Sequence, residues 1–253
     1  MTLEKKDKRN IILIFKDAFI DLYNHIGYSM LISALWFFSF IPFGVFLYNA
    51  LRVYLENRDN PLNLLFFLLV FSIPYAAFIL GPVQSGLLYQ MNQVIENDAE
   101  LKGLWIGFRK FYRRSAAVYG LYMGALIFTL VDVIICFFVL DNILIKFIGF
   151  ILLYLFIFLL LASIYLPNFI VFQENTWKRV YKKTFLLTLD NTLHTIGVQL
   201  ILFVIGLGFT VITPLVIFFY GSLLQVVGIR LFQGLMAKYP DLPATQGEVQ
   251  DVE

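Results

Sequence analysis

Apolar runs of about 20 residues alternate along the chain with short polar stretches that carry most of its charge. A bilayer core about 30 Å thick takes about 20 residues of α-helix, so each run reads as one span. Six result, roughly residues 28–51, 62–87, 115–140, 143–172, 195–212 and 214–237. The predicted fold is all-α: a polytopic transmembrane helical bundle, six spans in three hairpins, with amphipathic interfacial helices on the cytoplasmic side. Only Gly206, Gly208 and Thr213-Pro214 separate the fifth span from the sixth, so a single bent span there, five in all, is the alternative.

A different period rules the stretches before the first, third and fifth spans. At 100° per residue, Leu101, Leu104, Trp105, Phe108, Phe111 and Tyr112 fall on one side of a helix, and Lys102, Arg109, Lys110, Arg113 and Arg114 fall on the other. Before the fifth span, Trp177, Val180, Tyr181, Thr184 and Leu187 oppose Lys178, Arg179 and Lys182, with Lys183 nearer the edge. Such helices lie in the headgroup layer, where anionic lipid attracts each basic side chain by about 1 kcal/mol. Arg109, Lys110, Arg113, Arg114, Lys178, Arg179 and Lys182 therefore form a candidate face for anionic lipid headgroups or for a cytoplasmic partner. With Phe15-Lys16-Asp17-Ala18-Phe19, these segments make a loose threefold repeat: basic helix, span, outer turn, returning span.

Composition agrees with the pattern. Of 253 residues, 60% are hydrophobic and 14% charged, with a mean hydropathy of +0.81, outside the usage of soluble domains. Residues 1–253 are read as one membrane domain with a polar N-terminal segment (1–10) and a polar C-terminal tail (240–253). Of the 19 Lys and Arg, all but Arg52, Arg58 and Lys146 fall on the side of the N-terminus. The positive-inside rule then places both termini in the cytoplasm. The apolar stretch after the first ten residues is too short for a signal peptide, so the first span is expected to direct insertion.

Two span ends turn polar without charge. In Phe78-Ile79-Leu80-Gly81-Pro82-Val83-Gln84-Ser85-Gly86 and onward, Gly81, Ser85, Tyr89, Asn92, Gln93 and Glu96 share one helical face, and Pro82 predicts a kink. Leu166-Pro167-Asn168 followed by Gln173-Glu174-Asn175 repeats the arrangement in the fourth span. Either the prolines only bend long helices to fit the bundle, or Gln84, Ser85, Tyr89, Asn92 and Asn168 line a cytoplasm-facing vestibule suited to a neutral polar ligand. The core is expected to be mostly packed. Asp132, inside the third apolar run, either anchors the outer interface, pairs with Arg52 or Lys146, or couples to a proton or Na⁺. Arg230 is expected to snorkel to the surface.

The lone Cys136 precludes an intramolecular disulfide, and His25 and His194 form no cluster of metal-ligand spacing. Nucleophile motifs, phosphate-binding glycine loops and paired catalytic carboxylates are lacking. The expectation is a non-enzyme without cofactor or metal and without a nucleic-acid partner.

GPVQSGLLYQMNQVIENDAELKGLWIGFRKFYRRS and YLPNFIVFQENTWKRVYKKTFLLTLDNTLHTIG each join a Pro-bearing span end to a basic aromatic helix. In this, and over residues 15–239, the chain resembles the YesL-like family of bacterial integral membrane proteins of unassigned function. The resemblance implies a multi-pass protein of the bacterial plasma membrane, associated with carbohydrate uptake. The expected function is that of an accessory to carbohydrate uptake by an ABC transporter, contacting its membrane subunit. A small transporter or channel for a polar solute is the first alternative and a lipid-binding membrane scaffold the second.

Overall fold

The computed structural model describes residues 10–57, 61–100, 102–173 and 176–239. The polar segment before residue 10, the tail from residue 240, Arg58 and Glu174-Asn175 lie outside the described residues. Every regular element among those described is a helix, and six are long and apolar enough to cross a bilayer: Ile26–Val53, Leu68–Ile95, Gly103–Val139, Ile143–Ala162, Thr192–Val211 and Thr213–Met236. The chain is an integral membrane protein with an all-α bundle fold.

Helix α1 (Ile11–Asn24) begins where Asn10 Oδ1 accepts the Ile12 N–H at 3.0 Å, and it buries Ile14, Phe15, Ala18 and Leu22. At His25 (φ −122°, ψ 41°) the chain breaks for one residue and enters α2 (Ile26–Asn57). The same device recurs where α8 (Trp177–Asp190) passes through Asn191 (φ −126°, ψ 33°) into α9 (Thr192–Val211). The joints carry Asn24-His25 and Asp190-Asn191, short polar residues whose side chains compete with helical hydrogen bonds.

The middle repeat departs from the expectation of a separate surface helix. There α5 (Gly103–Ile134) runs unbroken from the basic segment into the span. Its junction is Ser115-Ala116-Ala117, of good helix propensity and lacking Asn or Asp. Tyr181 of α8 donates its hydroxyl to the Val118 carbonyl just beyond this junction, and burial raises the Tyr181 pKa above the ordinary tyrosine range.

Each returning span is interrupted. In the first hairpin α3 (Pro61–Tyr75) leads to a π-helical turn, Ala76–Leu80, and then to α4 (Gly81–Ile95). The Gly81 N–H reaches back five residues to the Ala76 carbonyl. Pro82 follows without an N–H, so the helix widens where the sequence predicts a kink. In the second hairpin α5 closes on a π turn, Ile135–Val139, and α6 (Ile143–Ala162) breaks at residues 163–165 before α7 (Leu166–Phe172). In the third, a single turn, Thr213–Leu215, enters a π turn, Val216–Tyr220, and then α10 (Gly221–Met236). Tyr220 lies against Gly206 and its hydroxyl donates to Leu202 O at 3.3 Å. The chain therefore folds back at Ile212, which makes two spans there and not one.

α10 is buried on nearly every side and forms the centre of the bundle. Its sequence is apolar around most of the helix, as a central element must be. The end that carries the basic segments is densely packed around Leu88, Met91, Phe169, Ile170 and Val227. The opposite halves of α2 and α6 present Phe38, Val45, Phe147 and Phe150 outward, as a lipid-facing surface would. α4 and α5 meet where Gly86 faces the Phe108 backbone so closely that a methyl group would stand 3.1 Å from its nitrogen. Close approach through small residues is how helices associate when lipid offers no hydrophobic contrast.

Candidate functional site

All six spans contribute to a cavity of about 520 Å³, within the range of small-molecule sites. The expectation of a mostly packed core is thus corrected: packing is tight at the basic end and gives way where the three returning spans are interrupted. Leu80 closes the first π turn and Gln84 follows it, Ser163, Pro167 and Asn168 border the break after α6, and Tyr220 and Gln225 flank the entry to α10. Such interruptions belong at membrane depth only where they face protein or a cavity, because lipid cannot satisfy displaced backbone groups.

The lining is apolar apart from a few amides and hydroxyls. Gln225 Nε2 donates to Gln84 Oε1 at 2.8 Å, tying α10 to α4. Asn168 Nδ2 donates to the Ile164 carbonyl at 2.8 Å, while its Oδ1, in a fully buried side chain, meets no hydrogen-bond partner. Gln199 Nε2 reaches from α9 to the Leu161 carbonyl at 2.9 Å. An acceptor left unpaired in a buried site costs about 1–3 kcal/mol, and a ligand donor would recover it. No Asp, Glu, Lys, Arg or His is among the described residues that line the cavity. A full charge there would go uncompensated, so the chemistry fits an uncharged ligand.

Of the five predicted vestibule residues, Gln84 and Asn168 meet at this cavity. The other three lie on the α4 face that packs against α5. Ser85 accepts from Ser115 Oγ at 2.7 Å in full burial, the Tyr89 ring lies over Gly107, and its hydroxyl accepts from Gln93 Nε2 at 3.0 Å. Asn92 Nδ2 donates to Glu96 Oε1 at 2.9 Å one turn on. The shared face identified from sequence is real, but it serves a helix interface, and Gln84 points off it. Sequence reasoning missed Gln199, Gln225 and Trp36. The two glutamines were visible as uncharged polar residues within apolar runs.

The predicted charges sort differently. Asp132 is half-buried beyond the cavity, and among the described residues no ion pair or hydrogen bond reaches its side chain; Lys146 instead pairs with Asp141 at 2.6 Å. Arg230 does not simply reach for the surface. It holds Asp21 Oδ2 through Nη2 at 2.6 Å and Nε at 2.8 Å, joining α10 to α1. Arg114 turns inward to the Ile170 and Gln173 carbonyls at 3.3 and 3.2 Å, closing the end of α7. Arg109, Lys110 and Arg113 are exposed around a groove that also holds Trp105, Phe108 and Tyr112. Lys178, Arg179 and Lys182 are exposed on α8, with Lys178 Nζ 5.2 Å from the Trp177 ring centre. His25 marks the α1–α2 joint, and His194 is exposed on α9. Cys136 is buried in the second π turn.

The sequence matches no protein-family model, and comparisons with curated proteins and with solved structures likewise find no match.

Proposed function

We propose that this integral membrane protein binds an uncharged, hydrogen-bond-donating ligand between its spans, in the manner of a small transporter. The observation that carries the reading is Asn168, a residue of the wall of an uncharged cavity whose buried Oδ1 has no hydrogen-bond partner. Support comes from the interrupted returning spans that border it, because midplane sites of transporters are commonly built from discontinuous helices. The distribution of Lys and Arg supports a multi-pass orientation with the basic end, and both termini, in the cytoplasm of a bacterial cell.

Thermal unfolding of the purified protein against neutral polyols, sugars, amides and their long-chain derivatives, with carboxylates and ammonium compounds as contrast, tests the reading. Neutral donors should raise the midpoint, equivalent to about 2.7 kcal/mol at a hundredfold excess over Kd, and Asn168→Leu, which removes one hydrogen bond to a neutral group, should cut the shift to about 1.4–1.8 kcal/mol. Stabilisation by a charged compound alone, or an undiminished shift in the variant, overturns it.

A second reading draws on the exposed basic residues of α8 and of the first turns of α5. These would engage the membrane subunit of an ABC transporter for carbohydrate, as the resemblance to the YesL-like family implies, or anionic lipid headgroups. Co-purification of such a subunit, lost when Lys178, Arg179 and Lys182 become Gln, supports it. Capture of lipid alone removes the accessory role.

A further inference from the structure

The cavity is closed along the bundle axis and open at its side. Toward the basic end Met91, Phe169, Ile170 and Phe232 are fully or almost fully buried, and the Phe169 and Phe232 rings meet edge to face at 5.0 Å. Toward the other end Trp36 packs on Phe40 and Tyr220 at 4.9 and 5.9 Å, and the Tyr75 hydroxyl fastens α3 to the Ser39 carbonyl at 2.5 Å. Among the described residues neither end shows a continuous polar path. Between α6 and α9, by contrast, the lining residues Leu160 and Phe203 are 43% and 63% exposed.

The height of this mouth decides what can enter it. Phe203 stands about midway along α9, a helix of 20 residues, and a helix of that length spans the hydrocarbon layer with its middle near the bilayer midplane. What faces the mouth there is acyl chain and not water. The deep wall holds Gln84, Asn168 and Gln225, whereas the rim is Leu160 and Phe203, with Gln199 Nε2 of α9 reaching the Leu160 and Leu161 carbonyls of α6 at 3.4 and 2.9 Å.

We propose that the ligand is a membrane-dissolved amphiphile with a small uncharged hydroxyl or amide head, of the kind of a monoacylglycerol or a fatty amide, which enters sideways between α6 and α9. Its head donates to Asn168 Oδ1, and its chain leaves over Leu160 and Phe203 into the bilayer. This rests on the uncharged ligand proposed above and adds its class and its route. The cavity is too small for a whole two-chain lipid, so the chain remains partly in the membrane.

The test uses the full chain in phosphatidylcholine nanodiscs with Trp105→Phe and Trp177→Phe, which leaves Trp36 on the cavity wall as the sole tryptophan. Monoolein brominated at its double bond is titrated, with brominated phosphatidylcholine as the control. Saturable quenching by the monoolein, reversed by unbrominated monoolein and absent with the phospholipid, is expected. Asn168→Leu should weaken it about five- to tenfold, the loss of one hydrogen bond to a neutral group. Gly228→Leu should remove it: a Cβ there meets Asn168 Nδ2 at an ordinary 3.5 Å, Gly228 lines the cavity, and an unfolding midpoint near that of the parent protein verifies that the variant folds. Competition by aqueous sucrose or glycerol would overturn the lateral route and retain the uncharged-solute site. Absence of saturable quenching together with absence of any thermal shift from neutral compounds would overturn both. Saturable quenching unchanged in both variants would place the amphiphile elsewhere and overturn this inference alone.

Discussion

Asp21 and Arg230 lie 209 residues apart and join the first described helix to the central one. Replacing Asp21 by Asn leaves the guanidinium facing a neutral amide. Two opposite charges about 4 Å apart attract by about 4 kcal/mol at an effective dielectric near 20. The side chains keep 30% (Arg230) and 16% (Asp21) of their exposure, so water screens part of this and desolvation of the ions offsets more. The expected loss is about 2 kcal/mol, below the 3–5 kcal/mol typical of a fully buried pair. The assay is equilibrium unfolding in a fixed detergent, run as a cycle with Asp21→Asn, Arg230→Gln and both together. The double variant should fall short of the summed single losses by about 1–2 kcal/mol. The exchanged pair Asp21→Arg with Arg230→Asp should regain part of the stability. Additive losses, or a single loss below about 0.5 kcal/mol, would refute the reasoning and return Arg230 to an ordinary snorkelling cation.

Further outcomes can be checked by the same unfolding assay and by labelling. Gly86→Val should cost about 1–3 kcal/mol, because its new carbons meet the Phe108 backbone at about 3 Å and a backbone cannot yield as a side chain does. Gly208→Ala in α9, where no atom lies within 4 Å of the added carbon, should instead stabilise by up to about 1 kcal/mol. Ser85→Ala should cost about 1 kcal/mol by leaving Ser115 without its partner, and the double Ser85→Ala, Ser115→Ala should cost less. In whole cells of a Cys136→Ala background, an impermeant maleimide should label Asp141→Cys and spare Lys178→Cys; the reverse would invert the proposed orientation.

Much of this fold was legible because its signals are long. Twenty-residue apolar runs and the clustering of Lys and Arg gave the spans, and the amphipathic period gave α1, the start of α5 and α8. What escaped is local. Whether a basic segment breaks from its span depends on one or two residues, Asn24-His25 and Asp190-Asn191 against Ala116-Ala117, a small preference beside the surrounding helix. The π turns have no composition of their own. Ala76–Leu80 reads as five ordinary apolar residues, and only the following Gly81-Pro82 hints that a hydrogen bond must be rerouted. The cavity escaped for the same reason. Its polar groups come from α4, α7, α9 and α10, so no single periodicity unites Gln84, Asn168, Gln199 and Gln225. A helical wheel ranked Ser85, Tyr89 and Asn92 together correctly and assigned them to the wrong neighbour, since it gives the relative direction of side chains and not what they face.

The π turn before Gly81 also bears on the direction α4 faces. An α-helix advances about 100° per residue, whereas the wider π turn at Ala76–Leu80 spreads one more residue over about the same rotation. One residue removed there would restore regular winding and leave α4 on its present bearing, with Gln84 still toward Gln225 and Ser85 toward Ser115. The turn thus takes up a residue of slack without moving the compass needle of the returning helix. A one-residue deletion there should leave both membrane insertion and the site intact, whereas one further residue added, with no second wide turn to absorb it, should swing α4 through about 100° and part both pairs.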